Sequence, residues 1–80
     1  MPTIKLFDQC RVEVRPRDHS PPHFHIVTQG GDMSVCIETL ACLKGRVPGR
    51  ISRQALEWAK ENQDVLLKKW EFLNLPRRRS

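Results

Sequence analysis

The sequence predicts an α+β fold, a small antiparallel β-sheet of about three to four strands, built from two hairpins and packed against one long C-terminal helix. Three observations predict it. From Thr3 to Thr39 apolar and polar residues alternate in short runs. Compact turn signals at Asp8-Gln9 and Gly30-Gly31 separate those runs. From Ser52 to about Leu73 the apolar spacing changes to three and four, with no Gly or Pro inside.

The first hairpin joins Thr3 to Phe7 with Cys10 to Arg15 across Asp8-Gln9. In its second strand Val12 and Val14 face one way, while Arg11, Glu13 and Arg15 face the other, the pattern of a sheet wet on one side. The second hairpin joins His23 to Thr28 with Met33 to Thr39. Taking Gly30-Gly31 as its two-residue loop, Gln29 faces Asp32, Val27 faces Ser34, Ile26 faces Val35, His25 faces Cys36, Phe24 faces Ile37 and His23 faces Glu38. Phe24, Ile26, Met33, Val35 and Ile37 then share the buried face, and His23, His25, Cys36 and Glu38 share the opposite one. A slip of one residue would drive the histidines into the core.

Leu40 to Leu43 either continues the sheet or turns out of it before Lys44-Gly45, and Gly45 to Arg50 reads as a loop from its Gly and Pro content. Ser52 is placed to cap the helix. Ala55, Leu56, Ala59, Leu66, Trp70 and Leu73 form its apolar stripe, flanked by Val65 and Leu67, and Asp64 sits four residues before Lys68 in the favourable orientation. Gln63 interrupts the stripe after Asn62, yet without a Gly or Pro one helix is preferred to two. Trp58 and Trp70 read as anchors of the helix against the sheet.

With 80 residues the chain has room for one domain, taken as 1–75, followed by a basic, disordered tail at 76–80 containing Arg77-Arg78-Arg79. Its apolar runs fall far short of the ~20 residues needed to span a bilayer. Met1-Pro2-Thr3-Ile4 lacks the layout of a secretory signal, so a cytoplasmic location is expected. Three cysteines, Cys10, Cys36 and Cys42, with no C-x-x-C pair, do not make a disulfide framework. Lys and Arg number 14 against 9 Asp and Glu, a formal charge of +5 that favours nucleic acid or an acidic protein surface as a partner. Arg15, Arg17, Arg46, Arg50 and Arg53 are the candidate binding arginines, expected around the histidine face.

All three histidines lie in Arg17-Asp18-His19-Ser20-Pro21-Pro22-His23-Phe24-His25. Pro21 and Pro22 have fixed φ and no amide hydrogen, and they press Ser20 toward extended backbone, so the imidazoles are held in place. Three readings follow. His19, His23 and His25 beside Arg17 and Asp18 could act as general acid and base in RNA cleavage, since imidazole exchanges protons near neutral pH. The same rings with Cys36 make a permissible zinc set, although the H-x3-H-x-H spacing fits no finger pattern. Alternatively His23 and His25 are the polar face of a strand, and His19 braces the Pro-Pro corner through a backbone carbonyl. Cys36 beside His25 would be a nucleophile only in the register given above. Beyond zinc, nothing in the sequence calls for a cofactor.

The block from Arg17 to His25, followed by Gly45-Arg46-Val47-Pro48, Ala55-Leu56-Glu57-Trp58-Ala59 and Leu66-Leu67-Lys68-Lys69-Trp70, resembles the domain-of-unknown-function 4160 family of small bacterial proteins. The resemblance runs nearly the whole chain in the same order and spacing. It implies a free-standing cytoplasmic protein, often encoded beside a domain-of-unknown-function 2442 protein in a two-gene module of toxin-antitoxin type. That neighbour is the implied cognate partner. Asp18, His19, Pro21, Pro22, His23 and His25 carry over as the functional or structural hallmark, and the cysteines lie outside the motif, which removes support from a thiol mechanism. No activity comes with the resemblance. The expectation is a binding protein, with a ribonuclease-type toxin and a metal-binding domain as the alternatives.

Overall fold

In the computed structural model, which describes residues 3–16, 19 and 21–74, the alternating half of the chain forms five strands and the helical half forms two helices. Strands β1 (Thr3–Leu6), β2 (Arg11–Glu13), β3 (His23–Thr28), β4 (Gly31–Cys36) and β5 (Cys42–Gly45) make one antiparallel sheet in the order β1-β2-β3-β4-β5. Helices α1 (Gly49–Glu61) and α2 (Gln63–Asn74) follow. The α+β class is as expected, whereas the strand count and the single helix are corrected.

The additional strand comes from a reversal after Cys36. Leu40 takes φ 65, an uncommon left-handed conformation for leucine. Its N–H donates to the Cys36 carbonyl at 2.8 Å, and the Cys36 N–H donates to Ala41 O at 2.9 Å. The strand expected to reach Thr39 therefore stops at Cys36, and Cys42–Gly45 pairs back on β4.

The hairpin between β3 and β4 also differs in register. Thr28 pairs with Gly31, so Gln29-Gly30 is the loop, and His23, Phe24, His25, Ile26 and Val27 face Cys36, Val35, Ser34, Met33 and Asp32. Each partner lies two residues earlier on β4 than a Gly30-Gly31 loop would give. The Thr28 hydroxyl sets this turn, accepting the Gly30 N–H at 3.2 Å and donating to Gly31 O at 2.8 Å. Because side chains alternate with period two, the slip leaves every residue on its expected face.

That face forms the core. Val12, Val14, Phe24, Ile26, Met33, Val35 and Ile37 pack against Ala55, Ala59, Leu66 and Trp70, with Trp58 half-buried at the margin. Phe24 and Ile26 are fully buried, each contributing about 1.5–3 kcal/mol of transfer free energy. Both tryptophans thus anchor the helices to the sheet. The indole Nε1 of Trp70 is buried with no hydrogen-bond partner among the described residues.

The helical stripe breaks at Asn62, whose φ of −130° and ψ of 29° leave the helix. Its side-chain amide donates to Trp58 O at 2.8 Å and its backbone N–H to Ala59 O at 3.0 Å, satisfying carbonyls at the end of α1. No Gly or Pro was needed. The start of α1 is also corrected: Pro48, not Ser52, precedes the first turn, and its carbonyl accepts the N–H groups of Ile51 and Ser52. Ser52 is buried one turn in, its hydroxyl donating to Gly49 O at 3.4 Å. Gly49 and Arg50, expected in a loop, are helical, and Gly45 closes β5. At the other end the Asn74 side-chain amide donates to Arg15 O at 2.9 Å, tying α2 to the chain leaving β2. The tail expected at 76–80 lies outside the described residues. No helix among the described residues is long and apolar enough to cross a membrane.

Candidate functional site

Because Phe24 points into the core, strand alternation sends His23 and His25 to the opposite face of β3. Their rings meet edge to face, with centroids 5.0 Å apart and planes at 74°. Both helices pack on the Phe24 face, yet His25 is only 7 % exposed. Both imidazoles thus take the face expected for them, opposite the core, but that face is not open there: His23 is half-buried and His25 is buried.

A network of charged side chains surrounds this pair of rings on the same face. Across from His25 stand Glu13 on β2 and Ser34 on β4, with the Ser34 hydroxyl 3.4 Å from His25 Nδ1. The Glu13 carboxylate accepts Arg11 Nε–H at 2.6 Å and Arg15 Nε–H at 2.9 Å. Arg15 also places a terminal guanidinium nitrogen 3.6 Å from an Asp32 carboxylate oxygen. Glu13 is on β2 and Asp32 on β4, so that guanidinium spans β3, which lies between them. Burial raises the Glu13 carboxyl, and the two guanidinium bonds more than offset it, holding the group below the ordinary carboxylate range.

The Pro-Pro corner is braced by its own carbonyls. Proline accepts but cannot donate, which suits a strand entry. Pro21 O accepts His23 Nδ1–H at 2.8 Å, and Pro22 O accepts the Ile37 N–H at 3.0 Å, continuing the β3-β4 pairing by one residue. A carbonyl has no hydrogen, so in this bond Nδ1 of His23 is the donor. The bracing assigned to His19 is thus made by His23, and His19 is exposed.

Cys36 faces His23, not His25, and Glu38 is exposed in the turn after β4. Bonds from Thr39, first its side chain and then its backbone, hold the Cys36 thiol below the ordinary thiol range, whereas burial raises that of Cys10. Among the described residues no group of three or more His, Cys, Asp or Glu side chains is placed to hold a metal ion, so His19, His23, His25 and Cys36 are not drawn together as a zinc set.

The arginines do not share one surface. Arg15 lies on the histidine face, joined by Arg11. Arg46 lines a cavity of about 540 Å³ with Asp8, Gln29 and Gly31, and Arg50 lines one of about 240 Å³ with Asp8 and Gln54. Both cavities are at the turn end of the hairpins, away from His23, and Arg53 is exposed on α1. Arg17 and Asp18 lie outside the described residues.

Glu13, Asp32 and Ser34 belong to this face and were not singled out from the sequence. Arg11, Glu13 and Arg15, with the same period and opposite charges, were the available signal. The result is a polar patch in which the carboxylates of Glu13 and Asp32 hold the guanidiniums of Arg11 and Arg15, and the two imidazoles are held by each other, Ser34 and Pro21 O.

Compared with curated proteins and with solved structures, the chain has no significant match. The profile of one protein family does match, over residues 14–71, which takes in Glu13's neighbour Val14, the histidine strand, the whole of β4 and β5, and α2 as far as Glu71. The chain belongs to the family described as Domain of unknown function (DUF4160).

Proposed function

We propose that this chain is the binding component of a two-gene module of toxin-antitoxin type in the bacterial cytoplasm, and that it engages its cognate protein through the sheet face carrying His23, His25 and Arg15. What supports this reading is the pairing of that face with itself. Glu13 occupies the Nε–H groups of both Arg11 and Arg15, and His25 is buried beside Ser34. A patch whose side chains are already ordered loses little conformational entropy when a partner docks. Acid-base catalysis asks instead for imidazoles and phosphate-binding cations that reach a substrate together, whereas on this face Arg11 and Arg15 are engaged by Glu13, and Arg46 and Arg50 line cavities at the turn end of the hairpins.

Nucleic acid is the secondary ligand class, consistent with the formal charge of +5. One observation favours a ribonuclease reading: the 5.0 Å ring pair of His23 and His25 could address a single phosphodiester. The test separates the readings. The parent, a His23→Ala variant and a His23→Ala/His25→Ala variant are each incubated with RNA and, separately, with the product of the neighbouring gene. Intact RNA throughout and a complex weakened about tenfold or more by His23→Ala carry the binding reading. RNA cleavage by the parent that His23→Ala abolishes would replace it with the enzyme.

A further inference from the structure

The edge of the sheet at β1 carries a second surface unlike the first. Strand β1 pairs with β2 on one side, and among the described residues no strand lies on its other side. Its backbone N–H and C=O groups there are a template for another strand. On α2, Val65, Lys68, Lys69 and Phe72 recur at three and four residues and form one stripe, separate from the buried stripe of Leu66 and Trp70. With Thr3 and Ile4 this stripe encloses an open groove of about 600 Å³. Val65 is 46 % exposed and Phe72 66 %, while Ile4 is half-buried at the floor.

A lysine on an edge strand is an ordinary guard against aggregation, and that accounts for Lys5. It does not account for an exposed phenylalanine and valine beside two more lysines, since apolar side chains in such a slot work against protection. Lys69 Nζ stands 5.8 Å from the centre of the Phe72 ring, so apolar and cationic chemistry meet at one point. Among the described residues no carboxylate lines the groove.

We propose that this groove docks an acidic segment of a partner protein, laid extended along β1 with apolar side chains between Ile4, Val65 and Phe72 and carboxylates against Lys5, Lys68 and Lys69. Charge selects this occupant. A second copy would set the same lysines against one another, and the chain's own terminus, Arg77-Arg78-Arg79, has the wrong sign. An added strand gains backbone hydrogen bonds along its length, while alternate side chains read the slot. The surface is independent of the histidine face and stands if that face binds nothing.

The test uses the full chain and a fluorescein-labelled peptide of sequence ELDVEFD, with KLKVKFK as the control. Fluorescence anisotropy is expected to show saturable binding of the acidic peptide only, weakened as salt rises from about 50 to about 300 mM. Phe72→Ala, and separately Lys68→Glu with Lys69→Glu, should weaken it about tenfold or more. Lys68 and Phe72 are exposed and Lys69 is half-buried, and circular dichroism checks that both variants fold. His23→Ala should bind the peptide as the parent does, so failure here is distinguishable from failure of the histidine-face reading. No saturable binding, equal binding of the control peptide, indifference to both variants, or a chain that dimerises through this edge in sedimentation would each overturn the proposal.

Discussion

The side-chain amide of Gln63 donates to the carbonyl of Ile37 at 2.8 Å, across 26 positions of sequence, and also approaches Glu38 O at 3.2 Å. The first residue of α2 thereby satisfies backbone acceptors that β4 leaves behind when it ends at Cys36. It fixes the helix layer against the end of the sheet from which the histidine strand starts. Gln63→Ala should cost about 1–2 kcal/mol in urea unfolding. Gln63→Glu should cost at least as much, because a carboxylate would face the same carbonyl oxygens without a hydrogen to donate.

Glu13 makes stability depend on acid. Its carboxyl sits below the ordinary value of 4.5 in the folded protein, despite the opposing effect of burial, because Arg11 and Arg15 bond it. A depressed folded value means that its contribution is complete above the unfolded pKa and is lost as pH falls through the folded one. Chemical denaturation followed from about pH 7 to about pH 3 should therefore show a steeper acid limb in the parent than in Glu13→Gln. At neutral pH the variant should be less stable by about 1–2 kcal/mol, toward the lower figure because both guanidiniums are more than a third exposed.

Gly45 closes β5 at φ +83, and a Cβ there would collide with the Asp32 carbonyl oxygen and approach the Met33 Cα at 3.0 Å. Left-handed backbone and a close strand crossing both require glycine. Gly45→Ala should lower stability by about 2 kcal/mol or more, read as a fall in the urea midpoint. Gly30→Ala is the control, since nothing lies within 4 Å of its added Cβ and its φ is not left-handed.

The three thiols should separate by reactivity. Cys42 is exposed, Cys36 is buried with a lowered pKa, and Cys10 is buried with a raised one. Native protein treated with a thiol-specific chromogenic reagent should show one fast phase, removed by Cys42→Ser. Cys10 should react only as the protein unfolds.

Reading the sequence recovered which way the residues of β2, β3 and β4 face, and it did so for a physical reason. Burial of Val12, Phe24, Ile26 and Val35 depends on parity along the strand, which the hydrophobic pattern records. Register does not depend on parity: sliding β4 by two residues preserves the pattern, and the bonds of the Thr28 hydroxyl in the turn, which parity does not record, favour Gln29-Gly30 over Gly30-Gly31. Strand β5 was hard to read because the reversal before it rests on Leu40, a residue type with no preference for φ 65. The break at Asn62 left a trace as an interruption of the apolar stripe, but its cause is a side chain bonding Trp58 O, which propensity does not count. In the candidate site the histidine pair was legible from the Pro-Pro corner onward. The burial of His25 was not, since parity along a strand tells which face a side chain takes and not how far its cross-strand neighbours, here Glu13 and Ser34, enclose it.

The most direct measurement is a titration of the full chain with the product of the neighbouring gene, watched through the imidazole resonances of His23 and His25. Docking on the histidine face predicts that the His23 ring signals shift and saturate at one equivalent, with those of His25 moving alongside because the two rings are in contact. A complex that forms while both rings stay unmoved, or no complex at all, would contradict the account.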